Sequence, residues 1–208
     1  MRRFHLVTLV AIGAIAATAV PAPAAPIEGN VDSAERRQQL RSLATCLAQH
    51  RPGWVRRTLS QPYLSTDQAR IASEALTGTD RCIGGRNDTE VTFRTSSVVA
   101  GLAEQVLRAE LRQVDFGRVS RALSTMPPRN SSEDFALCVT ARNPGAARDL
   151  VLSEFDSAQE SAAAGRLANY VESCTAPGET LTVDMQALRA LSAIALYRGV
   201  MLAQSRSN

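Results

Sequence analysis

Few side chains in this sequence are equipped for chemistry, and their spacing limits what that chemistry can be. Outside the first two dozen residues the only imidazole is His50, and no G-x-S-x-G elbow accompanies it to form a nucleophile–base pair. Glu154, Asp156 and Glu160 form the one tight group of acids. Two carboxylates set across a cleft would suit glycoside hydrolysis, but acids at the start of a helix also answer its dipole. All 23 basic residues are arginine, so a lysine Schiff base or lysine general base is excluded. No P-loop or dinucleotide fingerprint occurs, and no cofactor is implied. The reading leans away from an enzyme, and no catalytic residue is assigned.

The four cysteines, Cys46, Cys82, Cys138 and Cys174, form no C-x-x-C pair. That spacing argues against a zinc ribbon or a thioredoxin-type site, so no metal ligand is assigned and disulfides are expected. The N-terminus agrees with an oxidising compartment. Met1-Arg2-Arg3 precedes an apolar run from Leu6 to Val20, and Ala22-Pro23-Ala24 then supplies small residues for signal-peptidase cleavage. The run is shorter than the roughly 20 apolar residues of a spanning helix. The expectation is a signal peptide over 1–24 and export to the periplasm or the exterior, where disulfides persist.

Arg51, Trp54, Arg56 and Arg57 make a candidate partner-binding patch, an aromatic among guanidiniums that could meet an anionic ligand or membrane headgroups. The competing expectation is a short amphipathic helix that packs Trp54 inward and solvates the arginines. Nucleic acid is not an expected partner, because the chain without its first 24 residues carries a charge near +1.

The elements that position these residues are written twice. "CLAQHRPGWVRRTLS" from Cys46 and "CVTARNPGAARDLVL" from Cys138 both run cysteine, five residues, Pro-Gly, then arginine three positions on. A gapless shift of 92 also places Ser65 on Ser157, Cys82 on Cys174 and Val91 on Val183. Apolar positions follow, with Leu43 on Phe135, Tyr63 on Phe155 and Leu102 on Ile194. Tandem duplication of one module is the expectation. Of three pairings open to four cysteines, Cys46–Cys82 and Cys138–Cys174 alone let each module be stable before duplication.

Each copy reads as helices. Leu40, Leu43, Ala44 and Leu47 share a face. Asp32-x-x-Glu35 offers a capping box there, and Ser131 with Glu133 and Asp134 does so in the second copy. Pro52 and Pro144 suit the first position of a second helix, with Asn143 a natural cap and Arg51 a poor one. Ser65-x-x-Gln68 and Ser157-x-x-Glu160 start a third helix that ends near Cys82 and Cys174, before Gly84-Gly85 and Pro177-Gly178. Extended "EVTF" and "TLTV" follow, then long apolar helices over about 95–112 and 185–204. The fold class is therefore all-α, a tandem pair of roughly four-helix, disulfide-stapled modules. The boundaries are 25–113 for the first module, 114–131 for a linker and 132–208 for the second.

The C-x5-Pro-Gly helix pair, "FRTSSVVAGLAEQVLR" and the final "LRALSAIALYR" resemble uncharacterised secreted proteins encoded in alphaproteobacterial genomes, over roughly residues 36–202. The resemblance implies export and a duplicated module, and no mechanism. Two functions stand as expectations. One is a non-catalytic exported helical protein that binds a protein or small ligand, or serves as a scaffold. The other is a small periplasmic hydrolase using paired carboxylates. Charge divides the halves, with 12 Arg against 8 acids over 34–113 (+4) and 5 Arg against 9 acids over 132–204 (−4). Opposite fields favour docking of one half on the other.

Overall fold

Two prolines with the same task open the corresponding short helices. Pro52 and Pro144 are the first residues of Pro52–Ser60 and Pro144–Leu152, where a missing N–H costs nothing. The computed structural model describes residues 34–76, 82 and 93–206. The expected signal, Asp32, Gly84-Gly85 and most of "EVTF" lie outside the described residues. Among the described residues the chain is all-helical, without strands. In order the helices are α1 (Ala34–His50), α2 (Pro52–Ser60), α3 (Thr66–Leu76), α4 (Thr95–Glu110) and α5 (Phe116–Thr125). They continue as α6 (Ser131–Arg142), α7 (Pro144–Leu152), α8 (Ala158–Ala168), α9 (Val171–Cys174) and α10 (Met185–Ser205).

Local chemistry sets the helix starts. Asn143 Oδ1 accepts the Ala146 N–H at 3.0 Å, whereas Arg51 gives α2 no side-chain cap. For α6 the cap is Asn130 rather than the expected Ser131. Its amide oxygen accepts the Glu133 N–H at 2.9 Å, one residue earlier than the hydroxyl would. Ser65 and Ser157 each accept the N–H of the residue three on, at 3.1 and 3.0 Å. The partner side chains reach back further than in the usual box. Gln68 accepts from Leu64 N–H and Glu160 from Asp156 N–H, at 3.0 and 2.7 Å. Leu64 and Asp156 both hold left-handed backbone, with φ of 62° and 57°. That conformation disfavours leucine more than aspartate.

Two disulfides brace the ends. Cys46 joins Cys82 and Cys138 joins Cys174, with Cα atoms 5.6 and 5.7 Å apart and a sequence separation of 36 in each. Cys174 sits on the separate short helix α9, not on the third helix of its half, since α8 stops at Ala168. Among the described residues "TLTV" forms no strand, yet its Leu181 and Val183 pack on the core.

The segment 114–131 is more than a tether. Its helix α5 is capped by Asp115, which accepts the Gly117 N–H at 2.8 Å, and buries Val119, Ala122 and Leu123. These meet α10 so closely that a Cβ on Gly199 would lie 3.2 Å from Leu123 and Val119. α10 is apolar around most of its circumference, burying Leu188, Leu191, Ile194, Leu196 and Val200, so it runs through the middle. It packs against α4, α5, α6, α7 and α8, while α4 packs against α1, α2, α3 and α7. One continuous core unites both halves. Each fully buried leucine in it contributes roughly 1.5–3 kcal/mol.

Candidate functional site

A fully buried arginine interrupts the apolar surface of α10. Arg189 has 1% of its side chain exposed, and its guanidinium is saturated. It grips Glu104 of α4 in a fork at 3.0 Å on both oxygens, and Glu160 of α8 at 2.8 Å. It also donates to the carbonyls of Val151 and Ser153 at 2.9 and 3.1 Å. A buried charge survives only with such complete pairing.

Around it the halves clasp each other. Arg37 and Arg41 project from α1 onto the turn that follows α7 in the other half. Arg37 pairs with Asp156, and Arg41 reaches Glu154 at 2.7 Å. Three guanidiniums approach the Phe155 ring between those acids: Arg41 at 4.2 Å, Arg189 at 4.6 Å and Arg37 at 5.4 Å. Arg37 Nε and Arg41 Nη2 are buried without hydrogen-bond partners, and the negative face of the ring is what these guanidiniums meet instead. Arg108 adds long bonds of 3.3–3.5 Å to the carbonyls of Val151, Leu152 and Ser153. Burial, then the Arg41 charge, lowers Arg108 below the ordinary arginine value, with Glu104 opposing.

The clasp has a reciprocal. From the start of α6, Arg129 donates to the carbonyls of Ser60 and Gln61 at 2.6 and 2.9 Å. Glu133 accepts the Tyr63 N–H at 2.9 Å, and Asn130 donates to the Tyr63 carbonyl at 2.7 Å. Arg129 and Glu133 stand 92 positions after Arg37 and Arg41, as Phe155 does after Tyr63. Glu133 is 1% exposed and also holds Arg129 and Arg198. Burial alone would raise its carboxyl, but the Arg129 bonds, the Tyr63 N–H and the Arg198 charge hold it below the usual range. Tyr63, deeply buried, has its phenol raised by desolvation.

Between α1, α4 and α10 the first clasp leaves a cleft of about 80 Å³. Its walls are Leu40, Ala100, Gly101, Ala187 and Ala190, with Tyr63 and Phe155; Arg37, Arg41 and Arg108 edge it. The space suits a few waters or a small acid and is well below a drug-sized pocket.

The expected acidic cluster is present but divided: Glu160 faces inward to Arg189, while Glu154 and Asp156 face α1. Arg41 holds the exposed Glu154 carboxyl below the usual range, first by hydrogen bonding and then by charge. His50 ends α1, exposed. The Arg51, Trp54, Arg56 and Arg57 patch separates by side: Trp54 turns inward, its Nε1 donating to the Ile71 carbonyl at 3.0 Å, and the arginines are exposed. Among the described residues no three His, Cys, Asp or Glu gather as metal ligands, and no helix is long and apolar enough to cross a membrane.

Sequence reasoning missed Arg189, Glu104 and Glu133. The signal was in the same shift of 92. At an offset of 92, Glu160 falls on Gln68, Arg189 on Ser97 and Glu104 on Leu196. Charges that change together at aligned positions mark a contact.

No family model, curated protein or solved structure matches this chain.

Proposed function

We propose that this chain is an exported, non-catalytic binding or scaffold protein made of two copies of one disulfide-stapled helical module, with a small acid or an acidic partner side chain as the occupant of the cleft between them. The duplication is supported by equal disulfide spacings, matched capping boxes and matched left-handed residues at positions 92 apart. Export is supported by the two disulfides, which persist in an oxidising compartment.

The observation that carries the binding reading is the pairing, among the described residues, of every acid beside the cleft. Glu104, Glu154, Asp156 and Glu160 each hold an arginine. A hydrolase needs one acid free to give a proton and another to attack or to activate water. Paired acids instead fix arginine forks at the edge of an apolar slot, and such forks match a carboxylate. The test is an NMR titration of the exported protein with acetate, succinate and N-acetylglutamate. Shifts confined to Ala100, Gly101 and Ala190, and lost in Ala190→Phe, are the expected result. Turnover of glycoside or ester substrates that disappears in Glu104→Gln would replace this reading with the hydrolase. Mass spectrometry of the exported protein should find an N-terminus near residue 25.

A further inference from the structure

A second charged surface lies away from the cleft. The pairs Arg189–Glu104 and Gln204–Glu110, the latter at 2.5 Å, ascend α10 and α4 together. The two helices therefore run the same way, and their C-terminal ends share one end of the body. Arg112 follows α4 there, and Arg206 caps α10. Arg118 and Arg121 of α5 line a groove with Arg206.

Two helix C-termini present about one negative charge together, which part of this set answers. The acids near it are Glu110, which accepts from the neutral Gln204 and keeps its charge, and Asp115, which pairs with Arg118. Arg112, Arg118, Arg121 and Arg206 are exposed and outnumber those two acids, which leaves the face net positive.

We propose that this end of the molecule docks on an anionic lipid surface. The chemistry of the patch favours lipid over protein. A protein interface is centred on apolar or aromatic anchors, and this end exposes none fully: Trp54 turns inward, and among the described residues the one large exposed hydrophobic residue is Leu64 in the turn after α2. Arginines spread over α5 and the ends of α4 and α10 match a plane of dispersed phosphates, each worth about 1 kcal/mol at such a surface. Docking is electrostatic and shallow, without insertion.

The test is co-sedimentation of the exported protein with phosphatidylcholine vesicles, with and without phosphatidylglycerol. Binding is expected only with the anionic lipid and should fall as salt rises. Arg121→Ala with Arg206→Ala should weaken partitioning about 25-fold, roughly fivefold per arginine. Arg36→Ala with Arg94→Ala removes equal charge from the starts of α1 and α4 and should change it less than twofold. Circular dichroism confirms that both variants fold. Equal binding to both vesicles, no binding to either, or equal losses in the two double variants would overturn the proposal. Failure here leaves the cleft reading intact, since Ala190→Phe acts at the other site.

Discussion

Arg189 donates to Glu160 at 2.8 Å, with 1% and 0% of their side chains exposed, and the residues 92 positions earlier are Ser97 and Gln68. Gln68 is satisfied locally instead, through the Leu64 N–H and the Thr58 carbonyl. In the second half the charge also carries Glu104 of the first, so the pair is part of the seam. Removing one member leaves carboxylates buried without compensation. Arg189→Ser should lose about 3–5 kcal/mol in urea unfolding. Adding Glu160→Gln should recover about 1–2 kcal/mol of that. Strictly additive losses would show that the two residues are not coupled.

Acid should loosen the reciprocal clasp. Arg129, the Tyr63 N–H and Arg198 hold the Glu133 carboxyl below its unfolded value of about 4.3 despite burial. A folded pKa below the unfolded one adds stability that is full above the unfolded value and lost as pH falls through the folded one. The stability gap between the native protein and Glu133→Gln should therefore be wide at neutral pH and narrow below about pH 4. Chemical denaturation at both pH values measures it; a gap independent of pH would refute this role.

Elements governed by local rules were legible. Proline at the first helical turn, the serine boxes and the apolar stripe of α1 depend on residues within four positions of each other. Ser131 against Asn130 shows the grain of such rules, because adjacent residues both carry capping oxygens. What hid was set by distant chain. α5 reads as linker because only three of its residues, Val119, Ala122 and Leu123, are buried, and their partner surface is Gly199, far along the sequence. Arg189 looks like a polar interruption of an apolar helix until Glu104 and Glu160 are beside it. Trp54 bonds to the Ile71 carbonyl, 17 residues along the chain, a contact that no local pattern shows.

Both disulfides close loops of equal length, so chain entropy predicts equal contributions of roughly 3–4 kcal/mol. Cys46→Ala with Cys82→Ala and Cys138→Ala with Cys174→Ala should each lower the melting temperature by roughly 10 °C. Differential scanning calorimetry compares them directly. A loss in one pair of variants and none in the other would place the stabilisation in the folded surroundings instead of the unfolded loop.

Two helical glycines separate backbone cost from packing need. Gly165 on α8 has open space where a Cβ would go, and Gly199 on α10 faces Leu123 and Val119 of α5 at 3.2 Å. An exposed helical glycine costs roughly 0.5–1 kcal/mol relative to alanine, because it loses more backbone freedom. Gly165→Ala should therefore stabilise by about that amount. At Gly199 the same propensity gain meets a contact tighter than ordinary packing allows, in a seam that ties 114–131 to the second half. Gly199→Ala should come out near neutral, within about 1 kcal/mol, as Leu123 gives by a few tenths of an ångström. Gly199→Leu cannot be absorbed so, and overpacking should cost about 1–3 kcal/mol or more. It should also release α5 first, seen as faster amide hydrogen exchange over 116–125 than in the native protein. Unchanged exchange in α5 with an equal loss of global stability would mean that α5 is not held by this contact.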